Sequence, residues 1–157
     1  LENPEITPIT TPYFEFFELM AMCKMGRTDY VLNLLDSYWG GMIDLGATTI
    51  WEEFDPKMQG TEHYAMYGSA YSKSLCHAWG AGPIFLLGRY VLGVSPTSPG
   101  YETFEVKPVK GFYKYFAYFN GRVPLPGGGC IEVRYENGKA SARRIKGDGT
   151  EQQIAVD

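Results

Sequence analysis

The stretch that decides the fold is GPIFLLGRYVLGVSPTSPGYETFEV, residues 82–106. From Gly82 to Val94 it carries one charge, Arg89, and reads as the end of a mostly buried apolar helix. After the turn formers SPTSPG at 95–100, YETFEVKP alternates apolar and polar residues as a half-buried strand does. The hydrophobic period therefore switches from helical to extended within one short stretch. That predicts an α+β chain with helices before the switch and antiparallel strands after it.

Upstream, SLCHAWGAG extends the apolar helix back to a cap at Ser72 or Ser74, and Pro83 is expected to kink or divide it. The small residues Ala78, Gly80, Ala81 and Gly82 allow close approach of a backbone or ligand. Nearer the start, Thr10 or Thr11 caps a helix that accepts Pro12 in its first turn and stops at the left-handed position of Gly26. A second helix begins at Thr28/Asp29 and places Val31, Leu32, Leu35 and Tyr38/Trp39 on one face. Gly40-Gly41 is expected to end it, and the short connection makes the two helices an antiparallel pair. Residues 56–73, polar and without a period, read as a loop.

Downstream, FAYF-NG-RVPL and CIEVRY-ENG-KASARRI each set Asn-Gly between strand formers, a strong hairpin signal. The triple glycine at 127–129 is a turn, since no phosphate-loop Lys or Ser follows it. Helices this apolar need more protein to cover them, so the chain is expected to be the C-terminal part of something larger, the alternative being a small self-contained α+β domain. The predicted division is 1–98 for the helical part and 99–157 for the strands.

The chain has 157 residues, 45% of them hydrophobic, and a net charge of −4, with no basic stripe of the kind nucleic acid requires. No apolar run is long enough to span a membrane. Cys23, Cys76 and Cys130 are widely spaced and read as small apolar residues rather than metal or redox ligands. No cofactor and no metal are expected. Aromatic residues make up 15% of the chain, which suits both a sugar-binding surface and a β-rich core.

One further stretch carries chemistry. GATTIWEEFDP, residues 46–56, ends a β-branched run in Trp51 and two carboxylates, Glu52 and Glu53. With SLCHAWGAGPIFLLGRYVLGVSPTSPGYETFEVKP and GRVPLPGGGCIEV, in that order, this chain resembles the α-L-rhamnosidases of glycoside hydrolase family 78, six-hairpin glycosidases. The resemblance implies the last helical hairpins of an (α/α)6 barrel followed by a C-terminal β-sandwich domain. It also implies inverting hydrolysis of terminal α-L-rhamnosides, with a rhamnose-containing glycoside or polysaccharide as partner.

By the same resemblance Glu52 is the general base, while His77, Trp51 and Trp79 shape the sugar subsite. Many members carry a basic residue after the Trp-Glu pair, where this chain has Glu53. That second carboxylate either perturbs Glu52 or points away into solvent. The family's general acid lies in an acidic block absent from these residues, so this chain is expected to be inactive without the N-terminal remainder of the protein. The competing readings are another six-hairpin glycosidase or lyase and a non-catalytic carbohydrate-binding module. Elsewhere, His63 reads as a loop residue, Tyr38 and Trp39 as core, and Glu15 and Glu18 as a solvated helix edge.

Overall fold

The computed structural model describes residues 5–156. The chain is α+β and divides into two compact units, Leu1–Pro83 and Ile84–Asp157.

In the first unit, α1 spans Pro12–Lys24, with Thr11 at the N-cap and Pro12 in the first turn. Its buried face is Pro12, Glu15, Leu19, Met22 and Cys23, while Phe14 and Phe17 on other faces are exposed. The helix ends in a Schellman motif around Gly26: Arg27 N–H donates to Met22 O at 2.9 Å and Gly26 N–H to Cys23 O at 3.1 Å. Gly26 has φ +71, which a residue with a Cβ adopts only under strain.

The second helix does not stop at Gly40-Gly41. From α2 (Thr28–Leu34) the chain continues through a π-helical stretch (Leu35–Gly40) into α3 (Gly41–Asp44). Both glycines keep helical dihedrals, and the Phe54 ring lies 2.9 Å from where a Gly41 Cβ would sit. Gly41 is there so that an aromatic ring can pack on the helix backbone. Tyr38 and Trp39 face the core. The stop comes one turn later in a second Schellman motif, with Ala47 N–H to Met42 O at 3.0 Å and Gly46 N–H to Ile43 O at 2.8 Å.

The long helix expected from Ser72 or Ser74 is also absent. Residues 72–77 are irregular, Ala78–Gly80 form a 3-10 turn, and α4 begins at Gly82 and ends at Leu86, followed by a π-helical turn (Leu87–Val91). Pro83 lies in the first turn of α4, where its missing N–H costs nothing, so it starts a helix rather than kinking one. Ile84, Phe85 and Leu87 are exposed, while Leu86 and Val91 are buried.

In the second unit, β1 (Val94–Pro96) pairs antiparallel with β2 (Phe104–Val106). A four-stranded antiparallel meander follows in the order β3 (Tyr118–Pro124), β4 (Cys130–Glu136), β5 (Lys139–Ile145) and β6 (Glu151–Ile154). Ile131 and Val133 on β4 centre a core with Leu92, Val94, Val106, Leu125 and Ala142. On the other face of β4, Glu132 bridges Arg122 and Arg143 on the flanking strands at 2.8 and 2.6 Å, and these partners hold its carboxyl below the usual range.

Asn137-Gly138 makes the β4–β5 hairpin, with φ +53 and +77 at the two turn residues. Asn120-Gly121 does not turn. It lies inside β3 with Gly121 opposite Val133, and Leu92 Cδ1 sits 2.6 Å from where a Gly121 Cβ would be. The glycine there admits a leucine across the sheet, and the real β3–β4 connection is the triple-glycine turn at 127–129, where all three φ values are positive.

Candidate active site

The segment after Gly46 has no sheet partner but is tied to residues 74–77. His77 N–H donates to Ile50 O at 2.8 Å, and Glu52 N–H donates to Ser74 O at 2.9 Å. The Thr49 hydroxyl adds a bond to Leu75 O. The two segments run in opposite directions, and the β-branched Thr48-Thr49-Ile50 suits the extended backbone that this pairing needs. Ile50 is fixed from behind by Gly80, where its Cγ2 lies 2.3 Å from the site of a glycine Cβ. Gly80 O accepts from Trp39 Nε1 at 2.9 Å, which ties the second helix to the same point.

This pairing brings Glu52 and His77 onto one edge of the first unit. Both are half-buried. Glu52 Oε2 accepts from Ser74 N–H at 3.2 Å, and Oε1 accepts from the Tyr67 hydroxyl. The Tyr67 bond holds the Glu52 carboxyl below the ordinary value, with the Ser74 N–H and the electrostatic influence of His77 and Lys73 acting in the same direction. Glu52 is therefore a solvent-reaching, ionised carboxylate.

Glu53 has other partners. Its Oε2 lies 3.3 Å from Lys73 Nζ and its Oε1 accepts from the Thr10 hydroxyl at 3.0 Å. The Lys73 side chain is fully buried. The second carboxylate is thus neutralised by an ammonium group and does not push the Glu52 carboxyl up.

Trp51 is buried, with its ring 5.8 Å from Tyr64, 6.3 Å from His63 and 6.4 Å from Phe54. In this structure it supports the Glu52 segment from inside and offers no open face. Trp79 is the reverse: it is 68% exposed, with its ring 5.0 Å from Tyr13 and edge-on to His77 at 5.9 Å. His63 is buried and stacked on Phe54 at 5.7 Å rather than lying in an open loop.

Glu15 is also buried, contrary to a solvated helix edge. Burial, and secondarily Glu18, push its carboxyl up to about 7. It lines a cavity of about 610 Å³ with Glu18, Tyr30, Tyr38 and Phe54, where the Tyr30 hydroxyl donates to Glu18. Of the cysteines, Cys23 is buried as a small apolar residue, whereas Cys76 is exposed. Among the described residues no group of three or more His, Cys, Asp or Glu is placed to hold a metal ion, and no helix is long and apolar enough to cross a membrane.

Sequence reasoning missed Tyr67, Lys73 and Ser74. Their one legible sign is the Tyr67-Gly68 dipeptide, a turn former inside a stretch without periodicity.

Residues 15–91 match the family model described as the bacterial alpha-L-rhamnosidase 6 hairpin glycosidase domain. Glu52, Tyr67, His77 and Trp79 all fall inside the matched span. No curated protein matches the chain.

Proposed function

We propose a function from one premise: residues 15–91 of this chain belong to the bacterial α-L-rhamnosidase six-hairpin glycosidase family. In this reading Glu52 is the general base of an inverting α-L-rhamnosidase. The observation that carries it is the environment of Glu52, ionised by two hydrogen-bond donors yet open to solvent on an edge shared with His77 and Trp79. The helices of the first unit are hairpins of an (α/α)6 barrel, and residues 99–157 belong to a C-terminal β-sandwich domain.

Inversion needs a water between base and anomeric carbon, and an acid on the far side of the scissile bond. The two carboxyl groups then stand roughly 6.5–9.5 Å apart. Glu52 takes a proton from that water as it attacks, while the acid gives one to the leaving oxygen. Glu53 does not serve as that acid, because it is held by Lys73 and Thr10. The acid belongs to the N-terminal remainder of the protein, and this chain supplies the base side. The exposed face of Trp79 stacks on the apolar C–H face and methyl group of rhamnose, and His77 hydrogen-bonds a sugar hydroxyl.

The test is Glu52→Gln in the enzyme that contains this chain, assayed on an aryl α-L-rhamnoside. Loss of water activation lowers kcat on the order of 10²–10⁴-fold with KM little changed. An unchanged kcat removes Glu52 from the role. A fall in KM-normalised rate on aryl glycosides of another sugar, with none on rhamnosides, assigns the scaffold to a different substrate.

A further inference from the structure

The loop between the two paired segments is built in a way that an ordinary connection does not require. Met66 and Ser69 exchange both backbone hydrogen bonds, at 3.1 and 3.0 Å, closing a two-residue turn over Tyr67 and Gly68. Both turn residues have positive φ, +54 at Tyr67 and +74 at Gly68. Such turns favour Asn or Gly at the first position. A bulky residue there is strained, and strain of this kind persists only where the surroundings over-determine it.

Here they do. Ser72 clasps the turn, its hydroxyl donating to Ser69 O at 2.7 Å and accepting from Met66 N–H at 3.1 Å. The base of the loop is pinned by Lys73 N–H to Tyr64 O at 3.1 Å, and Tyr71 stacks on Tyr64 at 6.2 Å. The Tyr67 ring buries little: it is 76% exposed. What the strained turn secures is therefore not packing but the place of one hydroxyl, the donor to Glu52 Oε1.

We propose that Tyr67 is the positioning residue of the catalytic carboxylate, fixing the Glu52 rotamer from the solvent side while Ser74 N–H fixes it from the protein side. This rests on the reading of Glu52 as the base and adds how the base is aimed. With one lone pair of each oxygen committed, the free lone pairs define where the attacking water sits. A phenol suits this task because it donates without competing for the proton: its hydrogen bond to the ionised Glu52 pushes the phenol pKa further up from its ordinary value, so near neutral pH the hydroxyl is protonated while the carboxylate is ionised. The other titratable groups affecting Glu52 are His77 and Lys73, with Glu53 set against Lys73.

The experiment is a pair of NMR titrations on the folded chain, with carboxyl-labelled Glu and ring-labelled Tyr. In Tyr67→Phe the Glu52 midpoint rises, and in Glu52→Gln the Tyr67 midpoint falls. Equal midpoints in either pair overturn the proposal. In the enzyme that contains this chain, Tyr67→Phe moves the acid limb of the kcat/KM profile to higher pH and lowers kcat about 10-fold or more, with the fold unchanged by circular dichroism. A profile that keeps its acid limb also overturns it. The outcomes separate from those of the base assignment: if Glu52→Gln leaves kcat intact while both midpoints still move, Tyr67 orients Glu52 but Glu52 is not the base.

Discussion

Glu53 and Lys73 form an ion pair in which the lysine side chain is wholly buried and the glutamate 19% exposed, with Nζ 3.3 Å from Oε2. Sequence neighbours with the same charge thus have opposite fates: Glu52 faces the solvent edge, and Glu53 compensates a buried cation. Removing one partner of such a pair leaves the other charge stranded. Glu53→Gln is expected to destabilise the chain by about 3 kcal/mol, and the double variant Glu53→Gln/Lys73→Met to recover most of that loss. Urea unfolding of the two variants checks this. Equal stabilities for the single and double variants would sink it.

The pH dependence of stability is expected to carry the signature of Glu15. Its carboxyl is raised from an ordinary 4.5 to about 7, first by burial and then by Glu18. The folded chain keeps a proton there that the unfolded chain releases, so the stabilising effect is complete below pH ~4.5 and is lost as pH rises through about 7. The full span corresponds to roughly 3 kcal/mol. Glu15→Gln should flatten this decline when unfolding is followed from pH 4.5 to 8. A slope identical to that of the unsubstituted chain would count against it.

The catalytic pH profile runs the other way. With Glu52 as the proposed base and its carboxyl lowered, chiefly by Tyr67, activity is expected to persist until pH falls through that lowered value. The acid limb of kcat/KM is then expected below the ordinary glutamate range. An acid limb at pH 6 or above would point to a different titrating group.

Gly80→Ala is expected to hurt both stability and turnover. The added Cβ would meet Ile50 Cγ2 at 2.3 Å and Pro12 Cβ at 3.2 Å. Overpacking of this kind costs on the order of 1–3 kcal/mol. It would also displace Ile50, whose carbonyl accepts from His77 N–H. Thermal unfolding and kcat measured together test the coupling, and a stable variant with normal kcat would refute it.

The isolated chain is expected to give no turnover of an aryl α-L-rhamnoside while staying folded. Measurable release of the aryl group by the purified 157-residue chain would refute the split of acid and base between this chain and the rest of the protein.

What could be read in the sequence was what local chemistry decides. The left-handed stop at Gly26 and the Asn137-Gly138 hairpin each depend on a few adjacent residues, and both are found, whereas the switch to extended chain comes before SPTSPG rather than after it, with β1 already formed at Val94–Pro96. The same dipeptide at Asn120-Gly121 is a strand interior because Leu92, distant in sequence, occupies the space a side chain would need. Gly41 continues a helix for a similar reason, with Phe54 as the distant partner. Pro83 opens a helix instead of kinking one, since 72–77 are claimed by pairing with 49–52 and never become helical. The prominence of GATTIWEEFDP was legible, but the division of labour between its carboxylates was not. Lys73 and Tyr67 lie in a stretch with no period, and only the folded loop shows which acid each one meets.

The pairing of 49–52 with 74–77 bears on how such a site changes over time. Ile50, Ser74 and His77 hold each other and Glu52 through backbone groups that every amino acid except proline provides. The backbone under Glu52 therefore does not depend on which side chains stand at Ser74 and His77, whereas the direction of its carboxylate depends on Tyr67. Substitutions along this edge can change what it presents to solvent while the pairing of 49–52 with 74–77, and the backbone position of Glu52 with it, stays in place.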